Sequence, residues 1–198
     1  MTRLAAVRQV EPGGERALQN RTICSHGDTP AVRLDQDGVF ARTHASHYRN
    51  RSRQKPVFKN PPTDKIDELL RSARIIAVVG LSADPSRPSN RVAQHLQGFG
   101  YRIIPVTPSG GTILGEKAVA DLDHLDDVLK PGEKVDVVDV FRRPEHVAAI
   151  VDDCIRLRLP ALWLQDGVID EAAAEKAVAA GIFTVMDRCM FRDRAALG

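Results

Sequence analysis

Residues 75–108 constrain the fold of this chain more than any other stretch. Ile75-Ile-Ala-Val-Val79 is a short, unbroken apolar run ending in a polar turn, Gly80-Leu-Ser-Ala-Asp-Pro85. An amphipathic segment follows, and a second apolar run, Arg102-Ile-Ile-Pro-Val106, comes after it. A β-branched run without polar alternation is what a strand covered on both faces needs. Strand, turn, helix and strand in that order form a parallel βαβ unit, because parallel strands need a crossover between them.

The same alternation continues to the C-terminus. Before it, Thr63 opens a helix as a capping hydroxyl, with Ile66, Leu69 and Leu70 at i, i+3 and i+4. Arg91–Gln97 is predicted helical, with Val92, Leu96 and Phe99 inward. Leu122–Leu129 is a short helix and Val135–Val140 the third strand. Pro144–Arg158 is a helix with proline at a favoured first position and basic residues at its end. Ala161–Leu164 is strand four, Asp170–Ala180 a helix, and Ile182–Met186 strand five. The pattern predicts a Rossmann-like α/β domain: a doubly wound parallel sheet of five strands, order 3-2-1-4-5. Ligands would then bind at the carboxyl ends of the strands, at the switch point between strands one and four.

Residues 1–60 are of another kind. Their apolar residues follow no sustained period, and Arg49-Asn-Arg-Ser-Arg-Gln-Lys55 is a run of like charge. Residues 1–63 hold 11 Lys/Arg against 5 Asp/Glu, whereas the whole chain of 198 residues has a net charge of only +2. Such a segment buries too little apolar surface to offset its ordering entropy, so it reads as a disordered basic extension. A tail for RNA or a membrane surface is one explanation, and a transit peptide is disfavoured by Glu11 and Glu15. The preferred one is a start codon assigned upstream of the native one, with initiation expected at Val39 or Val57. The mildly acidic remainder does not advertise nucleic-acid binding. No run approaches the roughly 20 apolar residues of a membrane span. Cys24, Cys154 and Cys189, odd in number and widely spaced, read as reduced thiols of a cytoplasmic protein.

The first βα turn carries chemistry. A dinucleotide fingerprint asks for G-x-G-x-x-G there. Here Gly80 is kept, while Ser82 and Pro85 stand at the second and third glycine positions. What remains is a helix N-terminus with free N–H groups, the hydroxyls of Ser82, Ser86 and Ser89, and the cation of Arg87. That set suits a phosphate held differently from the NAD pyrophosphate. After strand two, where NAD enzymes place an acid for the ribose, this chain has Thr107-Pro108-Ser109. NAD is thereby disfavoured. Phe141-Arg142-Arg143 closes strand three and offers an adenine-stacking face and guanidinium groups. Either Arg could instead pair with Asp84 or Glu145. Cys189 beside Arg188 is either a nucleophile of lowered pKa or a small buried residue finishing a strand. The lack of a neighbouring His favours the second reading.

Seven motifs in order carry a resemblance: Val79-Gly-Leu-Ser82, Arg87-Pro-Ser-Asn90, Ile104-Pro-Val-Thr-Pro108, Leu114-Gly-Glu116, Val138-Asp-Val-Phe-Arg-Arg-Pro144, Leu162-Trp-Leu-Gln-Asp-Gly167 and Asp187-Arg-Cys189. Over residues 63–195 the chain closely resembles the small stand-alone bacterial proteins of the CoA-binding domain family. These are similar in turn to the CoA-binding domain of the succinyl-CoA synthetase alpha subunit. The resemblance implies coenzyme A contacts from Gly80, Leu81 and Ser82, with Arg87, Pro88 and Ser89. It implies further contacts from Thr107, Pro108 and Ser109, and from Gln165, Asp166 and Gly167. The family usually has Asn where this chain has Thr107, which loses the amide donor. The synthetase's second domain, with its phosphorylated His, is not matched.

The expectation is thus a protein that binds CoA or acyl-CoA without evident catalytic machinery, Phe141 and Arg142 joining the site, and an acyl-CoA enzyme as its partner. The alternatives are an NADP-dependent oxidoreductase and a Cys189-dependent acyl-CoA transferase.

Overall fold

The computed structural model describes residues 58–198; the basic extension expected over residues 1–60 lies outside them except for its last three residues. Five strands form one parallel sheet: β1 (Ile75–Val79), β2 (Arg102–Val106), β3 (Val137–Val140), β4 (Ala161–Leu164) and β5 (Phe183–Val185). Nearly every strand residue is buried, which explains the unbroken apolar runs.

Helices α1 (Thr63–Ser72), α2 (Pro88–Gly98) and α5 (Met190–Ala195) cover one face. Their Ile66, Leu70, Ala93, Leu96 and Met190 pack with Ile76, Val78, Val137 and Trp163. Helices α3 (Val147–Arg156) and α4 (Glu171–Ala179) cover the other, placing Val147, Val151, Cys154 and Ala174 against Ala77, Val138, Val140 and Leu162. The doubly wound α/β architecture is as expected.

The strand order is not. It runs β2-β1-β3-β4-β5, so β3 pairs with β1 (Val78 beside Asp139) rather than with β2. The outer edge of β2 is already occupied. Val119 N–H donates to the Pro105 carbonyl and Thr107 N–H to the Val119 carbonyl, both at 2.8–2.9 Å. Pro105 itself lacks the N–H that an interior strand would use, so β2 belongs at an edge. The switch point therefore falls between β1 and β3.

Other boundaries differ for local reasons. The expected helix over 122–129 is a 3-10 helix, Leu122–Asp127, whose buried Leu122 and Leu125 sit three apart, as the tighter turn requires. Thr63 makes no capping bond, because Pro62 occupies the N-cap of α1. Phe99 faces outward, stacked at 6.2 Å on Phe191 with the Arg194 guanidinium over its ring. The domain also reaches back before Thr63. Phe58 packs on the core, and the Asn60 side chain donates to the Met186 carbonyl (2.8 Å) and accepts from its N–H (2.7 Å).

Candidate functional site

The carboxyl ends of β1, β3 and β4 surround a cavity of about 500 Å³. Ten expected site residues line it: Gly80, Ser82, Arg87, Pro88, Ser89, Phe141, Arg142, Gln165, Asp166 and Gly167. A second cavity, of about 230 Å³, opens on the β2 side and takes in Pro108, Val106, Asp121 and His146. Gly80 and Arg142 line both. The expected site is thus two hollows meeting at the tip of β1.

Gly80 makes that junction possible. Its φ is +87°, and a Cβ there would lie 2.5 Å from the Phe141 carbonyl oxygen and 2.8 Å from Arg142 Cδ. The tips of β1 and β3 approach too closely for any side chain. Leu81, by contrast, is core: its side chain is buried, so only its backbone could meet a ligand. Thr107 and Ser109 line neither cavity; their hydroxyls lie 3.2 Å from each other.

The turn from Gly80 to α2 is held by its own side chains. Ser89 Oγ accepts from Ser82 N–H (3.2 Å), and Ser82 Oγ from Asp84 N–H (3.1 Å). The buried Asn90 donates to the Ser82 carbonyl at 2.8 Å. Each hydroxyl spends an acceptor lone pair on the loop, and neither donates to another protein group among the described residues. Ser86 is exposed and lies outside the cavity, with its N–H on the Asp84 carboxylate. That bond, first among its causes, holds the Asp84 carboxyl below the usual range.

Charge in the main cavity is one-sided. Arg87, Arg142 and Arg143 line it, and of the three only Arg143 lies within ion-pair distance of a carboxylate, the exposed Glu145 at 3.8 Å; Arg87 acts on Asp84 through space, and Arg142 shares the second cavity with Asp121 and Asp153. Arg87 and Arg142 form no ion pair among the described residues. Asp166, the one acid in the lining, is taken by Arg192 at 2.5–2.6 Å on the surface. Asp187 accepts from Gly167 N–H (2.8 Å) and fixes the loop after β4.

Two groups escaped the residue-by-residue reading. Asp139, in the middle of β3, is fully buried, and its carboxylate accepts from Gln165 Nε2 at 2.8 and 3.0 Å. Burial pushes its pKa up to about 7, against the opposing pull of the Gln165 bonds. Its hint in the sequence was a lone acid inside an apolar strand. Asp121 comes to the second cavity from a distant segment, where it caps the 3-10 helix and bonds His124 Nδ1 at 2.6 Å.

Cys189 is half-buried at the wall of the main cavity, as the N-cap of α5 rather than as the end of a strand. The neighbouring Arg188 is committed to Asp193 at 2.7 Å, and no His shares the lining. The thiol thus shares its cavity with Arg87 and Arg142 but with no imidazole base.

The chain is similar to known proteins in sequence and in fold. A family model described as "CoA binding domain" matches residues 74–194. The uncharacterized protein YneT of Bacillus subtilis (strain 168) is 36% identical over 132 residues, 67% of this chain and 93% of that one. The solved structure of cell-free ID.343 from Thermus thermophilus is 38% identical, with a TM-score of 0.63 over 70% of this chain and 100% of that one. A hypothetical protein from Pyrococcus horikoshii OT3 is 30% identical, with a TM-score of 0.63 over 72% and 99% of the two chains. By sequence and by fold, the chain belongs to the CoA-binding domain family.

Proposed function

We propose that this chain is a cytoplasmic protein that binds coenzyme A or an acyl-CoA across the tips of β1, β3 and β4, residues 63–195 being the binding unit. The carrying observation is that Arg87 and Arg142 line one cavity and neither forms an ion pair among the described residues. Unpaired guanidinium groups at a concave site favour a polyanion, and the phosphates of CoA supply one. Ser82 and Ser89 add hydroxyl protons, and Gly80 lets the ligand approach the backbone. Phe141, half-buried in the lining, offers a face for adenine. Pro108 and its neighbours in the second hollow extend the site for an elongated ligand.

Binding is favoured over chemistry because no imidazole base shares the cavity with Cys189. A partner enzyme that makes or consumes the acyl thioester would complete the function. Calorimetric titration of the chain with CoA, acetyl-CoA, NAD and NADP tests the reading. Saturable binding of CoA with no heat from NAD is the expected result; binding of NADP but not CoA would overturn it.

A further inference from the structure

Asp139 is the only fully buried carboxylate among the described residues, and nothing in the binding scheme above uses it. It stands in β3 between Val78 of β1 and Trp163 of β4, in a wall that is otherwise apolar. Its side-chain partner is a single group. Gln165 Nε2 donates to Oδ1 at 2.8 Å and to Oδ2 at 3.0 Å.

Both bonds come from the same nitrogen, and that fixes the amide. With Nε2 toward Asp139, the carbonyl oxygen Oε1 of the planar group points away from it. Gln165 is only 3% exposed yet lines the main cavity. Oε1 accepts no protein hydrogen bond among the described residues, and no side-chain polar atom there is sealed from solvent without a partner. Oε1 is therefore open, and the cavity is where it opens.

Resting on the CoA reading, we propose that Asp139 is a positioning residue that locks Gln165 as an acceptor at the cavity wall, so that the site selects a hydrogen-bond donor, an N–H or O–H, on the bound cofactor. An unconstrained glutamine could turn either end of its amide to a ligand and would select nothing. A carboxylate behind it, ionised once the pH is above about 7, can only accept and removes that freedom. The guanidinium groups elsewhere in the cavity only donate, and the lining's Asp166 is held by Arg192, so Gln165 reads the part of the ligand that phosphates do not supply. CoA carries such donors in two places: on the adenosine, and on the pantetheine amides and hydroxyl.

The test is titration at about pH 8.5, where Asp139 is ionised, of the full chain and its Asp139→Asn and Gln165→Ala variants with CoA and with 3′,5′-ADP, which lacks pantetheine. In Asp139→Asn the new amide can donate to Oε1, turn the Gln165 amide over and present Nε2 to a ligand donor. Asp139→Asn is expected to weaken CoA about tenfold, as Gln165→Ala does, and the double variant no further, because both remove one contact. An equal loss with 3′,5′-ADP places the donor on the adenosine; a loss with CoA alone places it on pantetheine.

Side-chain NMR of the wild-type chain covers the case in which a variant does not fold. The Gln165 Nε2 protons should be slow to exchange without ligand, and its Cδ resonance should move on addition of CoA. Variants that stay folded and bind CoA within twofold of wild type, or Gln165 protons that exchange like a free amide, would overturn the inference alone. A wild-type chain that does not bind CoA removes the CoA reading and this inference with it.

Discussion

The backbone at Gly80 and the carbonyl of Phe141 are so close that a methyl group on residue 80 would lie 2.5 Å from that oxygen. The positive φ adds a second penalty for any L side chain. Gly80→Ala should cost about 3 kcal/mol, the sum of left-handed strain and forced separation of the β1 and β3 tips. Thermal unfolding followed by circular dichroism reads this as a fall of roughly 10 °C. An unchanged midpoint would mean that the two tips yield easily.

Arg142 lies against the same glycine and faces both cavities. Losing a charge-assisted bond to a ligand phosphate removes about 1.5–3 kcal/mol. Arg142→Ala should therefore weaken CoA by roughly 10- to 100-fold and flatten the salt dependence of binding. Affinity measured at low and high salt, for variant and wild type, decides this. Equal salt slopes would remove Arg142 from the site.

Asp139 predicts a pH dependence of stability. Its folded pKa, about 7, lies above the ordinary 3.8 because burial disfavours the charged form. The folded state thus holds a proton that the unfolded chain has released between those values. Stability from this group is fully present below pH 4 and is lost as pH rises through 7. The chain should melt roughly 5–10 °C lower at about pH 8.5 than at about pH 5, and Asp139→Asn should flatten the profile. Parallel profiles for the two proteins would contradict this.

Asn60 ties the segment before α1 to Met186 with two hydrogen bonds. Replacing it with Ala leaves both backbone groups of Met186 unpaired. The expected loss is about 2 kcal/mol, measured by urea unfolding with an unchanged m-value. A midpoint that does not move would show that water replaces the side chain.

Much of the architecture was legible because local chemistry dictates it. Doubly buried strands must be apolar throughout, so the five runs and the helices between them stood out. The residues of the first βα turn stood out too, because glycine, hydroxyls and a cation at a helix N-terminus form a recognisable set, and Gly80, Ser82, Arg87 and Ser89 do line one cavity. Phe99 departs from its expected inward position because period alone cannot tell a core aromatic from one stacked on a neighbouring helix.

What this chain's sequence determined by itself is the class of the fold, its element order and most of the residues at the mouth of the sheet. Tertiary structure decided which strands are neighbours, and with that the place of the switch point. A strand's own residues do not say who pairs with it; the segment after β2 claims the edge of β2 and sends β3 to the other side of β1. It also decided that Asp139 and Gln165 meet. Twenty-six residues apart in the chain, they meet only because β3 and β4 are adjacent in the sheet.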